Sequence, residues 1–203
     1  SKGHGVGGYY CVLVEAGYLP EAVLDTYLLE NSQCPGHPVR QKTSGVEVNT
    51  GGLGHGLPIS CGLALAAKKS GRDYRTFCLC GDGELQEGSN WEAAMSAGHF
   101  GLDNLILIVD RNGLQLADRT ENIMSLDPLD EKLRSFGFDV TEMDGNDPDT
   151  VAAHLKGLLP GKGKPHAVIA RTTKGRGVSF IENQPAWHHR VPIGDEISQA
   201  IEE

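Results

Sequence analysis

The chain has 203 residues, of which 22% are charged and 39% hydrophobic, and carries a net charge of −9. That length suits one α/β domain with a sizeable core, and the acidic balance argues against a nucleic-acid or acidic-membrane partner, either of which asks for a basic stripe. No apolar run is long enough to cross a bilayer and no signal peptide is legible, while the five cysteines, Cys78 and Cys80 alternating along one apolar strand and the other three scattered, read as reduced thiols used as small packing groups, so cytoplasm is the expected compartment.

In chain order, residues 6–16 and 21–30 carry helix-spaced apolar positions, with Gly17 and Pro20 between them as stop and start. Residues 34–49 are polar and turn-rich, hence a loop. A small-residue helix over 57–70 follows the glycines of 51–56, which places a glycine-rich turn at a helix N-terminus. Then come a strand at 77–80, a helix at about 87–100, a strand at 105–109, a helix at about 129–136, a short strand at 139–143, a helix at 149–158 and a strand at 166–170. Strands alternating with helices predict an α/β fold: a doubly wound, mostly parallel sheet with helices on both faces. No linker or repeat divides the chain, so residues 1–203 are expected to form a single domain. In such sheets ligands bind beyond the carboxyl ends of the strands, where Asp82, Asn112 and Lys174 fall. A local basic cluster of Lys162, Lys164, Arg171, Lys174 and Arg176 reads as a solvated face, or as a neighbour of a phosphorylated ligand.

Gly81-Asp82-Gly83-Glu84 directly follows one apolar strand, and Asp110-Arg111-Asn112-Gly113-Leu114 closes the next. Mg²⁺ wants a near-octahedral oxygen shell, usually one or two carboxylates plus phosphate oxygens and water. Asp82, the Asn112 amide and a backbone carbonyl just after Asn112 can supply three such oxygens. Gly81 and Gly83 let the backbone approach a phosphate closely. The competing reading is a turn in which Asp82 only caps the following helix, and Gly-Asp-Gly alone does not choose between them. The pattern G-x-G-x-x-G at Gly3-His4-Gly5-Val6-Gly7-Gly8 lacks a preceding strand in this sequence and an acidic partner at a later strand end, which argues against a nicotinamide cofactor.

The stretch GDGELQEGSNWEAAMSAGHFGLDNLILIVDRNGLQ resembles the thiamine diphosphate signature, and the blocks SKGHG (1–5), CPGHP (34–38), GVEVNTGGLGHGLPISCGLALA (45–66) and RTTKGRGVSF with WHHRVP (171–192) resemble the transketolase branch in that family's order. The resemblance spans nearly the whole chain. It implies the thiamine diphosphate-binding fold, with thiamine diphosphate and Mg²⁺ as cofactors and Ca²⁺ or Mn²⁺ as substitutes for the metal. It implies Asp82, Asn112 and the Leu114 carbonyl as metal ligands, and His4, Gly51, Gly52, Leu53, Gly81, Asp82, Gly83, Asn112 and His188 at the cofactor. His37 and His188 become the candidate catalytic residues, with neighbouring His189 as the rival of His188, and Glu87 and Glu92 become interface residues connecting two active sites. Glu84 reads as a first-turn acid favoured by the helix dipole. Relatives often have proline at the position of Gly52, glutamine at that of His55 and glycine at that of His189. His99, His154 and His166 have no motif around them and read as structural or exposed.

The implied function is transfer of a two-carbon ketol unit from a ketose phosphate to an aldose, using the thiazolium carbanion that the cofactor contributes. Relatives also carry a helical segment ahead of Ser1 and a pyrimidine-binding domain. The helical segment is expected to precede Ser1 in a longer natural chain; the pyrimidine-binding domain has no counterpart in this sequence, so the expected partner is a separately encoded pyrimidine-binding subunit, in a symmetric self-associated assembly. The alternatives are a 2-oxoacid dehydrogenase subunit, one of the 1-deoxyxylulose phosphate synthases, and a non-catalytic cofactor-binding remnant.

Overall fold

The computed structural model describes residues 1–116 and 118–203. Its elements are α1 (Val6–Glu15), α2 (Gly56–Ser70), β1 (Thr76–Gly81), α3 (Gly88–His99), β2 (Leu105–Arg111), β3 (Leu114–Gln115), β4 (Asp118–Arg119), α4 (Thr120–Ile123), α5 (Leu129–Ser135), β5 (Asp139–Asp144), α6 (Pro148–Gly157), β6 (His166–Arg171) and α7 (Asp195–Glu202). Strands β1, β2, β6 and β5 form, in that order, a wholly parallel sheet. β3 and β4 make a separate antiparallel ribbon.

The side-chain period of two along each strand sorts the core. Cys78, Cys80, Leu105, Leu107, Val109, Val140, Ala167 and Ile169 point to one face, where they bury against Leu57, Cys61 and Ala64 of α2, the alanines of α3 and Leu129 and Leu133 of α5. Ile106, Met143, Val168 and Ala170 point to the other and pack with Leu158 and, from α6, Val151 and Leu155. On this second face Phe77 and Leu79 of β1 stay 44% and 47% exposed. Helices therefore flank both faces, as the alternating pattern predicts. Gly98 of α3 has no room for a side chain, because a Cβ there would overlap the Phe136 carbonyl. A satellite core of Val6, Tyr10, Leu13, Leu19, Cys34 and Val46 seats α1 and its loops beside the sheet.

Several expectations change. The helix expected over 21–30 is a 3₁₀ turn, Glu21–Thr26, followed by irregular chain with Leu28 and Asn31 in the left-handed region. Tertiary contacts override the local period there: the Tyr27 ring meets Tyr10 edge-on at 6.1 Å, and Leu28 N–H donates to Cys34 O. The 3₁₀ turn Gly83–Gln86, the β3–β4 ribbon and α7 are additions; the turn and ribbon are too short to show a period, whereas α7 carries Ile197 and Ile201 at helical spacing. Among the thiols, Cys11 is exposed and the other four are buried, with Cys78 and Cys80 placing their sulfurs 3.7 Å apart. No helix of the described residues is long and apolar enough to cross a membrane.

Candidate active site

Three strands, β1, β2 and β6, end side by side, and the loops leaving them meet the Ser1–Gly5 turn and the Thr50–Gly54 loop. Asp82 follows β1 and is 1% exposed. Its Oδ1 accepts from Gly83 N–H at 2.8 Å, so it does cap the 3₁₀ turn. Its Oδ2 accepts from Gly113 N–H at 2.6 Å and from Arg111 Nη1 at 3.2 Å. A carboxylate offers about four lone-pair sites; three are filled here, and one remains for a cation. Capping and metal binding are therefore compatible on one side chain. Asn112 Oδ1 accepts from Leu114 N–H at 2.9 Å, which leaves a lone pair on the amide oxygen and fixes the Asn112–Leu114 turn at the cavity wall.

Glu84 sits in the first turn, as expected, but is 4% exposed and ties loops together instead of facing solvent. Oε1 accepts from Gly54 N–H at 3.0 Å and from the Ser1 hydroxyl, and Oε2 accepts from Gly81 N–H at 3.2 Å. Lys2 is a site residue that no motif reading singles out. Its ammonium pairs with Asp110, which also accepts from the Thr172 hydroxyl. Burial pushes the Asp110 carboxyl up, but Lys2 and these hydrogen bonds outweigh it and hold it below the usual carboxylate range.

These loops enclose a cavity of about 430 Å³. His4, His37, Gly51, Leu53, Gly81, Asp82, Gly83, Asn112, Leu114 and His188 all line it, together with Lys2, Glu84, Gln115, Leu116, Lys174 and His189. His4 and His188 stack with ring centroids 5.2 Å apart. Lys174 Nζ donates to His188 Nδ1 at 2.5 Å, which assigns the ring proton to Nε2. Burial, then Lys174 and His4, push the His188 imidazolium pKa down to about 4. His4 is lowered by partial burial and by Lys2 and Lys174, and Lys174 by its burial and Lys2. Four basic groups thus crowd one another over a cavity that has a buried carboxylate and an amide at its floor. The depression of His4, Lys174 and His188 is what an anion would relieve, and the Asp82–Asn112 pair is an oxygen site for a hard cation. The residues fit a diphosphate held through such a cation.

Gly52 does not line this cavity. It lies in a neighbouring recess with His55, and a Cβ at position 52 would stand 2.7 Å from His55 Cδ2. Gly52 and His55 are therefore one steric pair. Glu87 and Glu92 are exposed at the start and on the outer face of α3, outside the cavity. The basic cluster disperses: only Lys174 reaches the cavity, Arg171 pairs with Glu142 at 3.0 Å and Arg176 with Glu182, and Lys162 and Lys164 are exposed. His154 bonds Thr141, His166 is buried and His99 is exposed, none of them at the cavity.

The family model described as the transketolase thiamine diphosphate binding domain matches residues 1–203. The chain belongs to the transketolase family. Among its relatives, one of the apulose-4-phosphate transketolase subunits of Actinobacillus succinogenes is 60% identical over 203 residues, covering 100% of this chain and 73% of that protein. The protein of the same name from Phocaeicola vulgatus is 43% identical over the same length, which is 72% of its own chain. The transketolase crystal structure from Campylobacter jejuni superposes with a TM-score of 0.91 at 34% identity, covering 100% of this chain and 33% of that one. This chain therefore spans about a third of the solved transketolase. As a member of the thiamine diphosphate binding domain family it takes thiamine diphosphate as its cofactor.

Proposed function

We propose that residues 1–203 act as one domain, the diphosphate-binding subunit of a split, Mg²⁺-dependent transketolase that moves a two-carbon ketol unit from a ketose phosphate to an aldose phosphate. The observation that carries this reading is the one-sided cavity. Its polar side, with Lys2, His4, Asp82, Asn112, Lys174 and His188, is formed, while the apolar rim residues Leu53 and Leu116 stay 43% and 58% exposed. A second chain bearing the pyrimidine-binding part would cover that rim. Two similar proteins are themselves named as single subunits of a transketolase, which supports a partner of this kind.

Thiamine diphosphate supplies, when bound, the carbon centre through which such cleavage runs. The residues of this chain would do the rest. Asp82, Asn112 and the Leu114 carbonyl hold Mg²⁺; Gly81 and Gly83 bring backbone close to the diphosphate; Lys2, His4, Lys174 and His188 oppose its charge; Gly51 and Leu53 meet the rings. His37, which packs over Gly3 and Gly51, and His188 are positioned to exchange hydrogen bonds or protons with the donor sugar. Glu87 and Glu92 lie on the outside of α3 with exposed Met95, a surface suited to self-association.

Mixing the chain with its partner subunit, Mg²⁺ and thiamine diphosphate should produce ketol transfer. Apulose 4-phosphate, the substrate in the names of both relatives, is the first donor to assay. Turnover by the chain alone, or no cofactor binding by the pair, would defeat the proposal; decarboxylation of a 2-oxoacid would redirect it.

A further inference from the structure

Arg111 occupies the last position of β2, in phase with Leu107 and Val109, so its side chain leaves the strand on the face covered by α2, α3 and α5. It is 7% exposed, deeper than any other arginine of the described residues. One nitrogen, Nη1, donates to Asp82 Oδ2. The other, Nη2, donates to Glu121 Oε1 at 2.5 Å and lies 3.2 Å from Asp127 Oδ1. Glu121 in turn accepts from Ser125 and from Leu126 N–H, which pins the segment after α4. One guanidinium thus serves three carboxylates.

Resting on the reading of Asp82 as a Mg²⁺ ligand, we propose that Arg111 is a positioning residue for that ligand, and that Glu121 and Asp127 exist to offset its charge. A guanidinium fixed beside Asp82 orients the carboxylate but opposes a dication arriving at the same oxygens. Two further carboxylates on the far nitrogen draw the positive charge away and leave the cluster of four groups with a net negative charge. Orientation is then obtained without loss of cation affinity. Glu121 and Asp127 act only through Arg111, since neither lines the cavity.

The test is Mg²⁺-dependent binding of inorganic pyrophosphate to the full chain, measured by isothermal titration at a series of Mg²⁺ concentrations, with far-UV circular dichroism confirming that each variant is folded. Glu121→Gln and Asp127→Asn should each raise the Mg²⁺ concentration needed for half-maximal binding, Glu121→Gln by about three- to fivefold, the scale of a partly exposed charge pair. In an Arg111→Met background the same substitutions should shift it less than about twofold, because the coupling runs through the guanidinium. Asp127→Asn guards the result against misfolding, since that side chain is 58% exposed and has no partner but Arg111 among the described residues. If the wild-type chain shows no Mg²⁺-dependent binding, the metal reading falls and this inference with it. If the wild-type chain binds but the single variants match it, or shift equally with and without Arg111, the metal reading stands and the role of Arg111 is overturned.

Discussion

Replacing Glu84 by glutamine removes a charge and one acceptor while keeping the shape of the side chain. The carboxylate now serves Gly54 N–H and Ser1 Oγ through one oxygen and Gly81 N–H through the other. A glutamine retains its best arrangement by leaving its oxygen toward Gly54 and Ser1, which turns its NH₂ group onto Gly81 N–H. One charge-assisted hydrogen bond is lost, and a part-buried backbone donor is left facing another donor. Each such loss costs about 1.5–3 kcal/mol. Neutralising a buried carboxylate that forms no ion pair among the described residues recovers part of its desolvation cost, so a net destabilisation of about 2 kcal/mol is expected. For a chain of this size 1 kcal/mol corresponds to roughly 2–4 °C, which places the fall in melting temperature at about 4–8 °C. Thermal unfolding followed by far-UV circular dichroism measures it directly, and Glu84→Ala, which removes every acceptor, should fall further. Glu84→Gln melting within about one degree of the wild type would refute the view that this carboxylate fastens the Ser1, Gly54 and Gly81 loops.

Asp82→Asn should abolish the Mg²⁺ requirement of cofactor binding together with most of the affinity, and an unchanged calorimetric titration would remove the metal role. His188 should titrate near 4 in the free protein; because its folded value is depressed, it contributes no charge penalty above the ordinary histidine range and destabilises progressively as pH falls from there toward 4. Pyrophosphate should raise that value, as read from imidazole NMR shifts, and a value unmoved by the anion would show that His188 does not face it. Gly3→Ala would drive a Cβ into Thr50 Oγ1 and against His37, so pyrophosphate affinity should drop at least about tenfold, a displacement cost of more than 1.4 kcal/mol. Gly98→Ala would press on the Phe136 carbonyl and should lower the melting temperature without altering ligand affinity; equal melting curves would contradict the packing of α3 on α5.

Features carried by local order and short period were legible along the chain. Apolar strands followed by Gly81-Asp82-Gly83 and by Asn112-Gly113-Leu114 put a carboxylate and an amide at adjacent strand ends, because parallel neighbours in one sheet finish on the same side. The small-residue pattern of α2 was equally readable, since helix periods act within a turn or two, while α6 starts one residue ahead of the expected 149, at Pro148, where Asp147 caps it. The arrival of Lys2 at Asp110, the threefold grip of Glu84 and the rings of His4 and His188 in stack came only with the folded chain, because each joins residues far apart along it. Arg111 belongs with these: the expected strand stopped at 109, whereas β2 runs on to Arg111, and its partners Asp82, Glu121 and Asp127 come from three separate segments. The helix expected over 21–30 failed for the same reason: its apolar spacing was genuine, but contacts with Tyr10 and Cys34 hold that stretch in turns. Residue order sets which chemistry stands at each strand end; long-range packing decides which of those groups share one cavity and what charge each carries there.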